Sequence, residues 1–240
     1  MGRIQKSDRK FFMNILCTVC ARKGSKGIKN KNLLKLNGKS LMFHTIDQAK
    51  KVRKISNIVV SSDFKLSSVC LKKRGIKQFF LRNKSLSNDS AGKVSVIRDA
   101  LIKSEKHYNK LFDVIIDLDV TSPLRSISDI TSALKKFKKK KSNNLITVCR
   151  ARKNPYFNMV EIVKSYPKLV KKNKSNYLRR QDAPKVYEMN ASIYIWKRSY
   201  LLKSDNLFHK KTSVYEMPYS RSIDIDENID YKLVKYLINQ

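Results

Sequence analysis

Ala21-Arg22-Lys23-Gly24-Ser25-Lys26-Gly27-Ile28-Lys29-Asn30-Lys31-Asn32 follows directly on the apolar run from Ile15 to Cys20. A short buried strand that opens into glycines, a hydroxyl and cations is how α/β proteins seat phosphates. Glycines let backbone N–H groups approach an anion, and the cations neutralise charge that backbone dipoles alone cannot hold. The stretch predicts a nucleotide, with Arg22, Lys26 and Lys31 placed to meet a triphosphate; a plain basic turn is the alternative. Two familiar phosphate loops fail on inspection. Gly38-Lys39-Ser40 imitates the end of a Walker A loop, but Leu33 stands where its first glycine must be, and Gly24 and Gly27 lack the third glycine of a dinucleotide fingerprint.

Outward from this loop, apolar runs bounded by turns alternate with helical patterns. Strands are expected near 14–20, 57–61, 76–80, 113–118 and 144–149, and helices near 40–54, 64–74, 93–107 and 127–139. Ser40 suits the cap of the first helix, and Gly75 the close of the second. The rhythm predicts an α/β, Rossmann-like, doubly wound and mostly parallel sheet, with ligands at the carboxyl ends of its strands. It falters from about 150 to 190, resumes as a strand at Asn190–Trp196, and ends in a helix from Glu227 to Ile238. One domain over 14–240 with an excursion fits better than two, and residues 1–13 read as a disordered lead-in.

Composition sets the bounds. A chain of 240 residues with 41% hydrophobic content can bury one good core. Its net charge of +34 invites a nucleic-acid partner. Lysine outnumbers arginine, Asn and Ile are abundant, and the charge is spread from end to end, so a solvated surface set by compositional bias is the better expectation. The dense run Lys135–Lys141 reads as the exposed end of a helix that buries Ile130, Leu134 and Phe137. Cys17, Cys20, Cys70 and Cys149 sit in apolar or helical patterns and are expected to be buried and reduced. The C-x-x-C of Cys17 and Cys20 has no second pair at zinc spacing. No run approaches the ~20 apolar residues of a membrane span, no secretory signal is evident, and a cytoplasmic location is expected. His44, His107, His209 and Trp196 are expected to pack or solvate and not to react.

Three further segments carry chemistry. Asp117-Leu118-Asp119-Val120-Thr121-Ser122-Pro123-Leu124-Arg125 closes the fourth strand, and Pro123 stiffens a turn where ligands are expected. Its rival reading is a simple strand-to-helix connection capped by Ser126 or Ser128. Arg179-Arg180-Gln181-Asp182-Ala183-Pro184, followed by Tyr187 and Asn190, pairs arginines with an amide and suits a carboxylate, or else is an exposed basic loop. In Ser222-Ile223-Asp224-Ile225-Asp226-Glu227, strand alternation would put both aspartates on one face. Two carboxylates plus substrate phosphates suit Mg²⁺; capping of the last helix is the alternative.

The four motifs, A-R-K-G-S-K-G-I-K-N-K-N, T-S-P-L-R, R-Q-D-A-P…N-A-S-I-Y-I and S-I-D-I-D, stand in the order found in the acylneuraminate cytidylyltransferase family. The chain resembles that family from about Asn14 to its C-terminus. The resemblance implies a fold of the nucleotide-diphospho-sugar transferase type and a homodimer whose excursion reaches across to the partner's site. It implies CTP, a 2-keto-3-deoxy sugar acid and Mg²⁺ as ligands. On matching positions Ala21, Arg22, Gly24, Ser25, Lys31, Asn32, Arg82 and Ser90 would hold the nucleotide, with Arg22, Lys31 and Asp224 acting in the transfer. Asp224 and Asp226 would carry the metal, and Asp119, Thr121, Ser122, Arg125, Arg180, Gln181 and Asn190 would face the sugar. Departures gather on the sugar side. Members that use sialic acid carry L-Q-P-T-S-P-L-R where this chain has Asp119 and Val120, and cations where it has Phe157 and Glu188. The resemblance therefore points to another nonulosonate, such as a legionaminic or pseudaminic acid relative, at least as well as to sialic acid. A CMP-KDO or other nucleotide-sugar synthetase, and a non-catalytic polyanion binder on the same fold, are the alternatives.

Overall fold

The computed structural model describes residues 13–24, 27–88, 90–172 and 177–240. In chain order the elements are β1 (Ile15–Ala21), a two-residue ladder of β2 (Lys35–Leu36) with β3 (Lys39–Ser40), α1 (Leu41–Lys50), β4 (Asn57–Ser62), α2 (Ser68–Lys72), α3 (Lys93–Tyr108), β5 (Val114–Leu118), α4 (Ile127–Lys139) and β6 (Asn144–Arg150). The hairpin β7 (Val160–Val163) and β8 (Tyr166–Leu169) follows, then β9 (Tyr187–Lys197), the short α5 (Arg198–Leu201), β10 (Thr212–Glu216) and α6 (Asn228–Leu237). Six strands form one sheet in the order β10-β6-β9-β5-β1-β4. Only β9 runs against its neighbours; β1 with β4 and β5, and β10 with β6, are parallel. This is the expected α/β fold.

Side-chain alternation along β1 divides the core. Ile15, Cys17 and Val19 pack on the face that holds Leu41, Ile46, Ile130 and Leu134, while Leu16 packs on the face with Ile97, Leu101 and Phe112. Two of the helices carry clear start signals. Ser40 Oγ accepts from Phe43 N, and Ser126 forms a reciprocal box with Asp129 at the head of α4. Ile130, Leu134 and Phe137 are buried beneath the lysine run, as expected.

The structure corrects three local expectations. Residues 76–80 are irregular, not a strand: Gln78 Nε2 donates to Ser62 Oγ and Phe64 O while its Oε1 accepts from Leu66 N, so a side chain takes the place of a backbone ladder beside the edge strand β4. The helix expected near 64–74 shrinks to Ser68–Lys72, capped by Ser67 and closed by Gly75 at φ +67°. Ser222–Asp226 is irregular and not a strand; Ile225 N reaches Thr121 O at 3.0 Å. That single bond hangs the segment beside the end of β5.

Asp129 ties this segment down from the other side. Its buried carboxylate accepts from Arg221 Nε and Nη2 at 2.8 and 2.9 Å. Burial pushes the carboxyl up, but the bonds from Arg221 and Ser126 outweigh it and hold the group below its ordinary 3.8. The stabilisation is therefore complete above that value and is lost as pH falls through the depressed native pKa. Asp129→Asn should cost about 1–2 kcal/mol, lowering Tm by roughly 3–6 °C at neutral pH. In thermal melts the gap to wild type should close on acidification.

Candidate active site

The carboxyl ends of β1 and β5, residues Arg82, Leu86, Asn88 and Ala91, the start of α3 and the segment before α6 surround a cavity of about 470 Å³. Its lining includes Ala21, Arg22, Gly24, Lys31, Asn32, Arg82, Asp119, Thr121, Asp224 and Asp226. The opening loop, the end of β5 and the S-I-D-I-D segment thus meet at one place, although Lys31 and Asp226 lie 195 residues apart in sequence.

The loop is shaped by contacts with its own ends. Asn32 is buried and its Nδ2 donates to Arg22 O at 2.9 Å, which folds the loop back on the tip of β1. Lys31 Nζ pairs with Asp226 Oδ1 at 2.6 Å. Gly27 lies against the same segment: a Cβ built there would stand 2.3 Å from Asp226 O. Only glycine permits so close an approach. Arg82 is buried, its Nε donating to Ser61 Oγ at 3.1 Å and its Nη2 to Ser61 O.

The two aspartates of S-I-D-I-D differ sharply. The Asp226 side chain is 71% exposed. Burial first, and the charge of Asp119 second, push the Asp224 carboxyl up to about 6. Asp224 Oδ1 is buried and has no hydrogen-bond partner among the described residues. A buried carboxylate oxygen left without a donor is costly. Neither aspartate caps α6, whose box is built by Glu227 and Asp230. The residues fit a hard divalent cation held by two carboxylates and substrate oxygens.

The sequence reading missed Lys93. It is the first residue of α3, where its charge opposes the helix dipole, and its Nζ binds Asp119 Oδ2 and lies 3.3 Å from Asp117 Oδ2. Burial works against its charge, but Asp119 and then Asp117 outweigh burial and hold the ammonium above its ordinary range. A cation at the first helical position, just after glycine, was the available signal.

Other expected site residues lie elsewhere. Ser25 and Lys26 fall outside the described residues. Ser90 is exposed beside the cavity, its Oγ on Asn88 Oδ1 at 3.0 Å. Ser122 and Asn190 are buried, Ser122 Oγ donating to Asn190 O and Asn190 Nδ2 to Ser222 Oγ at 2.9 Å. Arg125 is 2% exposed, and its guanidinium donates to Gln48 Oε1, Ser192 O, Thr45 Oγ1 and Asp119 O. These contacts brace the T-S-P-L-R turn from inside. Arg180 Nη2 donates to Ala151 O at 2.9 Å within the excursion, and neither it nor Gln181 lines the cavity. Glu188 accepts from Cys149 Sγ at 3.3 Å at the exposed start of β9. Among the described residues no group of three or more His, Cys, Asp or Glu is arranged to hold a metal.

A family model described as Cytidylyltransferase matches residues 16–238. The chain belongs to the cytidylyltransferase family. The CMP-N,N'-diacetyllegionaminic acid synthase of Campylobacter jejuni is 46% identical over 225 residues, covering 94% of this chain and 95% of that one. The Post-translational flagellin modification protein B of Campylobacter coli is 44% identical over 226 residues, again covering 94% and 95%. Among solved structures, a CMP:2-keto-3-deoxy-manno-octonic acid synthetase complexed with CTP superposes with a TM-score of 0.66 at 16% identity, covering 95% of this cytidylyltransferase and 99% of that chain. That likeness speaks for the fold. Among the described residues of this cytidylyltransferase, no helix is long and apolar enough to cross a membrane.

Proposed function

We propose that this cytidylyltransferase transfers CMP from CTP to the anomeric hydroxyl of a nonulosonic acid and releases pyrophosphate. The observation that carries the reading is the unpartnered buried oxygen of Asp224 beside Asp226, on the floor of a cavity whose wall holds Arg22, Lys31 and Arg82. The acceptor oxygen forms a bond to the α-phosphorus as the bond to the pyrophosphate oxygen breaks, so negative charge builds on the non-bridging oxygens and on the leaving group. Mg²⁺ held by Asp224 and Asp226 would neutralise part of that charge.

The rest falls to the chain's own groups. Arg22 and Arg82 bring cations to the phosphates, Gly24 and Gly27 admit them to the backbone, and Lys31 keeps the exposed Asp226 in place. A legionaminic-type acid is the favoured acceptor, because the C. jejuni relative is named for one and because Asp119, Phe157 and Glu188 replace the residues expected for sialic acid.

The excursion supports a homodimer. Lys164 and Ser165 both have positive φ, which turns β7 tightly onto β8, and the hairpin exposes Val160, Ile162 and Leu169 on one face, Ile162 at 69%, and Tyr166 on the other at 72%. A second copy would cover this apolar surface. Sedimentation of wild type beside Ile162→Glu/Tyr166→Glu should show a dimer and a monomer; a monomeric wild type would remove the homodimer. Pyrophosphate release should occur with CTP and a nine-carbon 2-keto-3-deoxy acid. Equal turnover with ATP, GTP or UTP, or with the eight-carbon acid alone, would overturn the assignment.

A further inference from the structure

Among the described residues three carboxylates line the cavity, yet they are not equivalent. Asp119 is saturated: Oδ2 accepts from Lys93, and Oδ1 accepts from Thr121 N at 3.1 Å and Thr121 Oγ1 at 2.9 Å. Asp226 shares one oxygen with Lys31 and is otherwise open to solvent. Asp224 has a bare oxygen. The Thr121 hydroxyl lies within reach of both Asp119 and Asp224 but has one proton to give, and the bond to Asp119 takes it.

Lys93 is itself held in place. Its ammonium sits 4.5 Å from the centre of the Tyr194 ring and 3.3 Å from Asp117 Oδ2, an oxygen with no hydrogen-bond partner of its own. Asp117 is fully buried, its other oxygen accepting from Thr18 Oγ1 at 2.6 Å. One cation therefore answers two acids, at a helix position that disfavours it. We propose that Lys93 is a positioning residue that withdraws Asp119 from the divalent-cation site, leaving Asp224 and Asp226 as its carboxylates among the described residues. The inference rests on the metal reading given above.

The chemical consequence is metal choice. A site with two carboxylates and room for substrate oxygens suits Mg²⁺, whereas a third free carboxylate raises the oxygen-ligand count and charge in the direction that favours Ca²⁺. Lys93 thus shapes the ion the site accepts without touching it.

The test is binding of Mn²⁺ to the purified full-length protein without nucleotide, followed by electron paramagnetic resonance of the free ion, with Ca²⁺ as competitor. Lys93→Met should bind Mn²⁺ about tenfold more tightly and Ca²⁺ more tightly still, because Asp119 is released. Asp119→Asn should weaken Mn²⁺ binding severalfold, since Lys93 is then left half unanswered in the cavity that Asp224 also lines. Lys93→Arg and the double variant Lys93→Met/Asp119→Asn should both lie within about threefold of wild type. A folded Lys93→Met that binds Mn²⁺ as wild type or more weakly overturns the proposal, because loss of a merely structural contact would loosen the site. Lys93→Met could fail to fold because Asp117 loses its cation; Asp119→Asn then decides, and unchanged Mn²⁺ binding in it overturns the proposal. Asp224→Asn separates the two ideas. Loss of Mn²⁺ there with no pattern across the Lys93 and Asp119 variants sinks only this inference, whereas Mn²⁺ binding indifferent to Asp224→Asn sinks the metal reading first.

Discussion

Asp224→Asn is expected to release pyrophosphate at least about 10³-fold more slowly than wild type while melting at a higher temperature in metal-free buffer. The first half follows from the charge that builds on phosphorus and the leaving group. Removing one such electrostatic contact commonly costs about 10²–10³ in rate, and here the lost group also anchors the cation. The second half follows from burial. Asp224 has its carboxyl pushed up to about 6 from an ordinary 3.8, so the folded protein resists ionising it. For an acid whose native pKa is raised, stability falls as pH climbs from the unfolded value through the native one, and above it the full penalty applies. An amide avoids that penalty, worth on the order of 1–3 kcal/mol. Parallel melts and pyrophosphate assays at pH 7.5 decide the matter. A variant with near wild-type turnover would remove the metal assignment, and one that is inactive because it is unfolded would remove the account of burial.

Gly27→Ala is the second large effect, and it works through geometry alone. The added carbon would meet Asp226 O at 2.3 Å, and that oxygen is backbone, so either the loop or the aspartate segment must retreat. A displacement near 1 Å at a reacting centre commonly costs about 10²-fold. We expect kcat/KM for CTP to fall by about that factor with the fold retained, since both segments are at the surface. Gly24→Ala provides the contrast, because nothing among the described residues lies within 4 Å of a Cβ there. Similar losses in both variants would show that the close approach at Gly27 does not matter.

Much of the fold could be read from the chain because local and global signals agreed. β1 and α4 combine correct periodicity with a clear stop, and both fall where expected. The strand expected at 76–80 misled because Ile76, Phe79 and Phe80 are apolar for packing alone, while Gln78 satisfies the neighbouring backbone. β10 was passed over since Thr212–Glu216 lies at the sheet edge and is largely exposed, so no buried run announces it. In the site, residues whose chemistry is unusual for their place were legible, such as paired aspartates and a cationic glycine loop. Lys93 was not, because in a chain with 53 lysines and arginines one more lysine at a helix start carries no contrast. Arg125 shows the converse: a guanidinium beside a turn looked like a ligand group, and the fold uses it as a brace.

The reversed direction of β9 bears on how such proteins diversify. β6 leaves the sheet at Arg150, and β9, running antiparallel beside it, re-enters at Tyr187 on the same rim. The chain between them, which carries the β7–β8 hairpin, starts and finishes at neighbouring points, so its length and sequence can change without re-threading a crossover or disturbing the parallel strands. The fold therefore has a built-in splice point at one rim of its sheet. Exchanging residues 151–186 between relatives should be structurally inexpensive, because the two ends that must be rejoined are already paired as Arg150 and Tyr187.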